Sequence, residues 1–201
     1  MVAEQLVPHG VVNDRVLKVM AALPREEFLF GNARRYAYED RALAIECGQT
    51  ISQPLVVALM TQAVDPRPDD AALEVGTGSG YQAAVLGGLC SHVITLEREP
   101  ALAERASATL RGLGFQNVEV AVADGGLGWS EGAPYNVIVV ACAAAQVPQA
   151  LLDELADGGR MVIPVHVGPD QPQDLRLYTR RGDEVGYRSL FPVMFVPLRT
   201  G

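Results

Sequence analysis

Leu73-Glu74-Val75-Gly76-Thr77-Gly78-Ser79-Gly80-Tyr81 is the stretch that decides the fold. Ala71 to Val75, an apolar run broken only by Glu74, reads as a short buried strand. Glycines at alternate positions follow it, and Tyr81-Gln82-Ala83-Ala84-Val85-Leu86 then reads as helix. Strand, glycine turn and helix together form the entry unit of a doubly wound α/β sheet. Glycine removes the Cβ where backbone must approach a ligand, and the start of the helix offers free N–H groups. Tight βα turns also need glycine for steric reasons alone, so the ligand reading depends on the strands that follow.

The spacing is Gly-x-Gly-x-Gly, which does not meet the Gly-x-Gly-x-x-Gly fingerprint and its pyrophosphate contact. His92 to Leu96 forms a second strand and delivers Glu97, followed by Arg98, at its carboxyl end. An acid there can accept hydrogen bonds from both hydroxyls of an adenosine ribose. A third strand, Asn117 to Val122, leads to Asp124-Gly125, where a carboxylate could accept from an adenine amino group or simply cap the next helix. Consecutive strand ends carrying glycines, Glu97 and Asp124 describe a crevice for an adenosine without a pyrophosphate. S-adenosylmethionine fits that description.

With 201 residues, 49% of them hydrophobic, the chain can bury one sizeable core, and a second full domain would be cramped. We therefore read one domain over 1–201, with residues 1–70 as an N-terminal cap and substrate loop and 71–201 as the sheet core. A net charge of −8 argues against sequence-independent nucleic-acid binding, which depends on clustered Lys and Arg. Cys47, Cys90 and Cys142 form no Cys-x-x-Cys pair and the histidines are dispersed, so no metal site is expected. Sparse cysteines fit a reducing compartment. Met1 to Gln5 lacks the basic start of a signal peptide, and Val137 to Ala145 is too short to span a bilayer. The expectation is a cytoplasmic monomer that engages neither membrane nor nucleic acid.

Before the glycine turn, Asn13 is placed to cap a helix through Val16, Val19, Met20 and Leu23. Pro54 suits the first turn of a helix reaching Val64, which puts Ser52 or Gln53 at its mouth and makes Ser52 a candidate N-cap. After the turn, Pro100 starts a helix that Gly114 stops, and Tyr135 to Val140 is apolar enough to be covered on both faces. Pro148 to Leu155 reads as helix and Arg160 to Val165 as strand. Asp174 to Arg180 alternates like an antiparallel strand, and Val193 to Leu198 is expected to close the sheet. This pattern predicts a mostly parallel sheet with antiparallel pairing at one edge.

Methyl transfer from a sulfonium is an in-line displacement, so an enzyme contributes positioning plus any base the acceptor needs. Ala141-Cys142-Ala143-Ala144 carries neither the motif that receives a base amino nitrogen nor an acid pair for a metal. Cys142 could be a pyrimidine-directed nucleophile or a small core thiol. No histidine sits in a base-like pairing. A carboxylate acceptor, with a pKa of about 4, needs no base.

Gly48-Gln49-Thr50-Ile51-Ser52-Gln53-Pro54, followed by Leu73 to Gln82, resembles the protein-L-isoaspartate O-methyltransferase family. The resemblance continues through Pro24-Arg25-Glu26, Asp124-Gly125, Ala133-Pro134-Tyr135, Gly158-Gly159-Arg160 and Phe195-Val196-Pro197-Leu198, in order along nearly the whole chain. It implies a seven-stranded Rossmann-like class I methyltransferase fold with an antiparallel edge and an N-terminal helical cap. The implied reaction is methylation of the α-carboxylate of L-isoaspartyl residues in damaged proteins, initiating repair through a succinimide. By resemblance, Ser52 is the active-site serine, with Thr50 and Ile51 beside it and Val196, Pro197 and Leu198 along the substrate peptide. Gly76, Thr77, Gly78, Ser79, Gly80, Glu97, Arg98, Asp124 and Gly125 would hold S-adenosylmethionine, released as S-adenosylhomocysteine, without a metal.

The chain departs from the family's pattern at Ala44, Glu46-Cys47, Ala123, Asn136, Ala141 and His166. These changes touch substrate identity more than donor binding. Two alternatives therefore stand beside repair: a carboxyl methyltransferase for an aspartate in a biosynthetic peptide, and a non-catalytic S-adenosylmethionine-binding protein. Relatives of the first kind usually carry an added C-terminal domain, and this sequence ends at Gly201 just after Val-Pro-Leu. Retention of Ser52 argues against the second.

Overall fold

The computed structural model describes residues 1–169 and 171–201. Asn13 caps α1 (Asp14–Ala22), its side-chain oxygen accepting from the N–H groups of Arg15 and Val16 at 3.0 and 3.3 Å. Val16 and Met20, four residues apart, form the buried face of that helix. A short antiparallel ribbon follows, β1 (Leu43–Ala44) against β2 (Thr50–Ile51), and then α2 (Pro54–Val64).

The cap of α2 differs from the sequence expectation. Asp40 Oδ1 accepts from the Leu55 N–H at 3.1 Å, and Asp40 Oδ2 accepts from Gln53 Nε2 at 2.8 Å. A carboxylate from upstream thus caps the helix, and Ser52 is not its N-cap.

The large sheet comprises β3 (Ala71–Val75), β4 (His92–Glu97), β5 (Val118–Val122), β6 (Tyr135–Val140), β7 (Leu155–Val165), β8 (Gln173–Arg181) and β9 (Glu184–Val193). The helices between them are α3 (Tyr81–Gly87), α4 (Pro100–Gly112) and the short α5 (Gln149–Asp153). Strand order is β5-β4-β3-β6-β7-β8-β9, parallel from β5 to β7 and antiparallel through β8 and β9. This is the seven-stranded α/β sheet that the resemblance implied. The chain winds outward from β3 to β5, returns, and winds the other way from β6. The crevice of such a sheet lies where that reversal occurs, at the carboxyl ends of β3 and β6.

Successive residues of the central strands feed opposite faces, as the period of two requires. Ala72, Val93, Val137 and Val139 join a cluster with Val16, Met20, Val57 and Val85. Leu73, Val75, Ile94, Ile138 and Val140 join a second cluster with Leu151, Leu155 and Met161. The N-terminal seventy residues therefore share a core with one face of the sheet. Arg160 reinforces the join, donating to the Val64 and Asp65 carbonyls and pairing with Asp70 at 2.7 Å.

The C-terminal edge also corrects the sequence reading. The last strand is Glu184–Val193, and residues 194–198, expected to continue a closing strand from Val193, lie outside the sheet. An edge strand exposed along most of its length needs no alternation of apolar side chains, so β9 carries little signal. Beyond it, the chain makes one parallel bridge, Ala143 to Pro197. The Ala143 N–H donates to the Val196 carbonyl and the Leu198 N–H to the Ala143 carbonyl, both at 2.8 Å. Pro197, which has no N–H to give a ladder, sits between them.

Candidate active site

The glycine turn after β3 adopts backbone that side chains rarely allow: φ is +93° at Gly76, +52° at Gly78 and +88° at Gly80. Their surroundings separate their roles. Gly76 and Gly78 line the crevice, where a Cβ would meet its neighbours only at 3.6 Å or more, whereas a Cβ on Gly80 would lie 3.2 Å from Ala106 of α4. Gly80 serves the packing of two helices, and the first two glycines serve the crevice.

Glu97, at the end of β4, is positioned by two backbone donors. Its Oε2 accepts from the Gly78 N–H at 2.8 Å and its Oε1 from the Glu99 N–H at 3.1 Å. An ionised carboxylate has about four lone-pair sites, so Glu97 keeps two for a ligand. It lines a crevice of about 620 Å³ with Val75, Gly76, Gly78, Arg98, Gly125 and Ala141. Asp124 does not line it. Its Oδ1 accepts from the Gly126 N–H at 2.9 Å, capping a short 3₁₀ turn, and its Oδ2 from the Gly201 N–H at 2.8 Å. An adenine amino group reaching Oδ2 would take the place of that second contact.

Behind the turn lies a smaller chamber of about 320 Å³, bordered by Ser52, Thr77, Ser79, Tyr81 and Gln82, and by Glu74 on its floor. Glu74 is fully buried, with Oε2 accepting from Thr95 Oγ1 at 2.5 Å and Oε1 without a partner. Thr95 Oγ1 in turn lies 2.6 Å from Thr77 Oγ1. The sequence reading passed over Glu74, although a lone acid inside a buried strand was its signal. Burial raises its carboxyl pKa to about 8, with the Thr95 hydrogen bond opposing and Glu97 adding to the rise.

A third space of about 960 Å³ runs outside the ribbon, between Ser52, Gln53 and Val56 on one side and Pro192, Met194 and Phe195 on the other. Thr50 borders all three spaces, and Ser52 borders the chamber and the outer groove. Among the described residues no hydrogen bond to the Ser52 hydroxyl is formed. Ile51 is buried and borders the chamber, and Val196, Pro197 and Leu198 cross the mouth of the crevice. The structure thus gathers Thr50, Ser52, Gly76, Gly78 and Glu97 around connected spaces and sets Gly80 and the Asp124 carboxylate apart. Cys142 borders the crevice, but burial pushes its thiol up to about 12, with Glu97 and Glu74 adding to the shift. A thiol so rarely ionised is a poor nucleophile. Among the described residues, no cluster of three or more His, Cys, Asp or Glu is placed to hold a metal ion.

The profile of the family Protein-L-isoaspartate(D-aspartate) O-methyltransferase matches residues 1–201. The chain belongs to this family. A protein-L-isoaspartate O-methyltransferase of Protochlamydia amoebophila is 48% identical over 198 residues, covering 98% of this chain and 94% of the relative. One from Nitrosococcus oceani is 50% identical over 185 residues, covering 92% and 84%. Among solved structures, a protein-L-isoaspartate O-methyltransferase superposes with a TM-score of 0.88 at 29% identity over 96% of this chain, which spans 63% of that longer protein. A Plasmodium falciparum member in complex with S-adenosyl-L-homocysteine gives 0.84 at 25% identity, covering 98% and 96%.

Two of the positions read from the sequence as departures from the family's pattern have visible roles. Asn136 Oδ1 accepts from the Ala71 N–H at 2.9 Å, joining β6 to the start of β3. Glu46, in the ribbon between β1 and β2, pairs with Arg105 of α4. That guanidinium holds the Glu46 carboxyl below its ordinary range.

Glu74 gives this family member a pH signature. Its folded pKa lies above its unfolded value, so between about pH 4.5 and pH 8 the unfolded state has lost a proton that the native state keeps. The contribution of Glu74 to stability falls across that window as pH rises, by up to about 1.4 kcal/mol per unit. Glu74→Gln should flatten this slope in urea titrations at pH 5, 6.5 and 8. An unchanged slope would refute the assignment.

Proposed function

We infer that this chain transfers a methyl group from S-adenosylmethionine to the α-carboxylate of L-isoaspartyl residues in damaged proteins and peptides. One observation carries the reading. The crevice fit for an adenosine, the chamber behind it and the groove fit for a peptide share Thr50, Ser52 stands between chamber and groove, and among the described residues no histidine or lysine lines any of the three. Burial raises the Glu74 carboxyl pKa to about 8, so at neutral pH its protonated form predominates. An acceptor that is already ionised, as a carboxylate is, needs no base and fits this junction best.

The donor supplies an electrophilic methyl on sulfur. Gly76 and Gly78 admit it against backbone, Glu97 offers its free acceptor sites to ribose hydroxyls, and Thr77, Ser79 and Glu74 surround the chamber that continues from the crevice. Ser52 stands where its hydroxyl can donate to the non-attacking oxygen of the acceptor carboxylate, holding the other oxygen in line with the methyl. The methyl ester then cyclises to a succinimide, and hydrolysis returns part of the residue to aspartate. Arg98, Gly80, Asp124 and Gly125 belong to the donor side of this proposal, and Ile51, Val196, Pro197 and Leu198 to the peptide side.

The proposal extends to a cytoplasmic monomer acting on peptide segments, without nucleic acid or membrane. Its support is the net charge of −8 and three unpaired cysteines. No described helix is long and apolar enough to cross a membrane. Nothing in the relatives favours a biosynthetic-peptide acceptor or a binding-only role. The test is labelled methyl transfer to a synthetic isoaspartyl-glycine peptide beside its aspartyl twin. Labelling of the first alone is expected, and labelling of neither would overturn the reading.

A further inference from the structure

Among the described residues Arg25 is the largest fully buried side chain, 0% exposed. Its Nε donates to the Ala37 carbonyl at 2.8 Å and its Nη2 to the Ser52 carbonyl at 2.7 Å. Its guanidinium lies over the Tyr81 ring, 4.4 Å from the centroid, and that ring packs edge-on against Phe28 at 5.3 Å. One cation therefore joins the N-terminal lobe, the backbone of Ser52 and the residue that opens α3 behind the glycine turn.

The pairing is incomplete in a telling way. Among the described residues no carboxylate forms an ion pair with Arg25, and its Nη1 has no hydrogen-bond partner. Asp40 acts on it electrostatically but spends both oxygens on Gln53 and the Leu55 N–H. The hydroxyl of Tyr81, which borders the same chamber as Ser52, is likewise buried without a partner. A buried charge is ordinarily paired, because desolvation without compensation is costly. Burial pulls the Arg25 pKa below its ordinary value, and the neighbouring Tyr81 hydroxyl, ahead of Asp40, offsets only part of that fall. A purely structural anchor at this place could be neutral. A cation left uncompensated beside Ser52 is compensated when an anion arrives there.

Resting on the carboxylate acceptor proposed above, we propose that Arg25 is a positioning and specificity residue. It fixes Ser52 through its backbone carbonyl, and its buried charge favours an acceptor that binds as an anion. Tyr81 holds the guanidinium plane in place, and Arg25 itself does not touch the reacting atoms.

Arg25→Lys keeps the charge and one donor, and Arg25→Gln keeps a donor without the charge. The peptide KM is expected to rise by about 30-fold or more in Arg25→Gln and by less than about 5-fold in Arg25→Lys. The affinity for S-adenosylhomocysteine, measured by calorimetry, should stay within about 2-fold in both. Met20→Ala, which hollows the core of the same lobe, controls for lost stability and should leave KM unmoved. Equal KM values in the Lys and Gln variants would overturn the role of the charge. So would a parallel loss of donor affinity, or the same KM rise in Met20→Ala. Wild-type failure on the isoaspartyl peptide would overturn the acceptor reading and this proposal together, whereas wild-type turnover with indistinguishable variants overturns only the role of Arg25.

Discussion

Glu97→Ala is expected to weaken binding of S-adenosylhomocysteine by about 100-fold in titration calorimetry. The carboxylate has two tasks at once. It accepts from the Gly78 and Glu99 N–H groups, which fixes both the glycine turn and the start of the following loop. It also lines the crevice with acceptor sites to spare. Hydrogen bonds to a charged partner are worth about 1.5–3 kcal/mol each, and removing the acid forfeits those to the ribose. The freed N–H groups border the crevice, where water can take them, so the fold should tolerate the change. Glu97→Gln should fall between, since its amide NH₂ turns one acceptor into a donor facing an N–H. A loss below about 5-fold in Glu97→Ala would remove the residue from the donor site.

Those contacts explain why this part of the molecule was legible in the sequence. Alternate glycines at the end of an apolar strand have few structural uses, and each of the three takes a positive φ. Strand β4 delivers Glu97 to the same edge because parallel strands in a doubly wound sheet end together. Asn13 capped α1 as expected, because an Asn before a three-and-four apolar repeat acts through neighbouring atoms alone. What was illegible depends on distant atoms. Asp40 caps α2 only because the chain folds back on the helix, and nothing near Ser52 in the sequence reveals it. Gly87 and Gly88, which sequence alone marks only as two poor helix formers at the end of α3, are a case of this kind. They lie where side chains at those positions would strike Val118 and Val19. The apolar run Val193 to Leu198 looks like a strand, yet Pro197 and the bridge to Ala143 turn it across the crevice, where it can contact a ligand.

The correction at α2 sharpens the expectation for Ser52. Had Ser52 been the N-cap, alanine there would cost about 1 kcal/mol of stability, and any loss of activity could be blamed on a frayed helix. With Asp40 in that role, the two effects separate. Ser52→Ala should leave the urea midpoint and the affinity for S-adenosylhomocysteine unchanged while lowering kcat/KM for the isoaspartyl peptide by about 100-fold, the scale of losing one well-placed donor to a reacting group. Asp40→Ala should do the reverse in part, costing about 1 kcal/mol of stability through the exposed end of α2. If Ser52→Ala instead lost stability like Asp40→Ala and kept its turnover, the hydroxyl would be a helix cap after all. The carboxylate acceptor would then be positioned by backbone alone, from Thr50 to Ser52, with Arg25 holding that backbone in place.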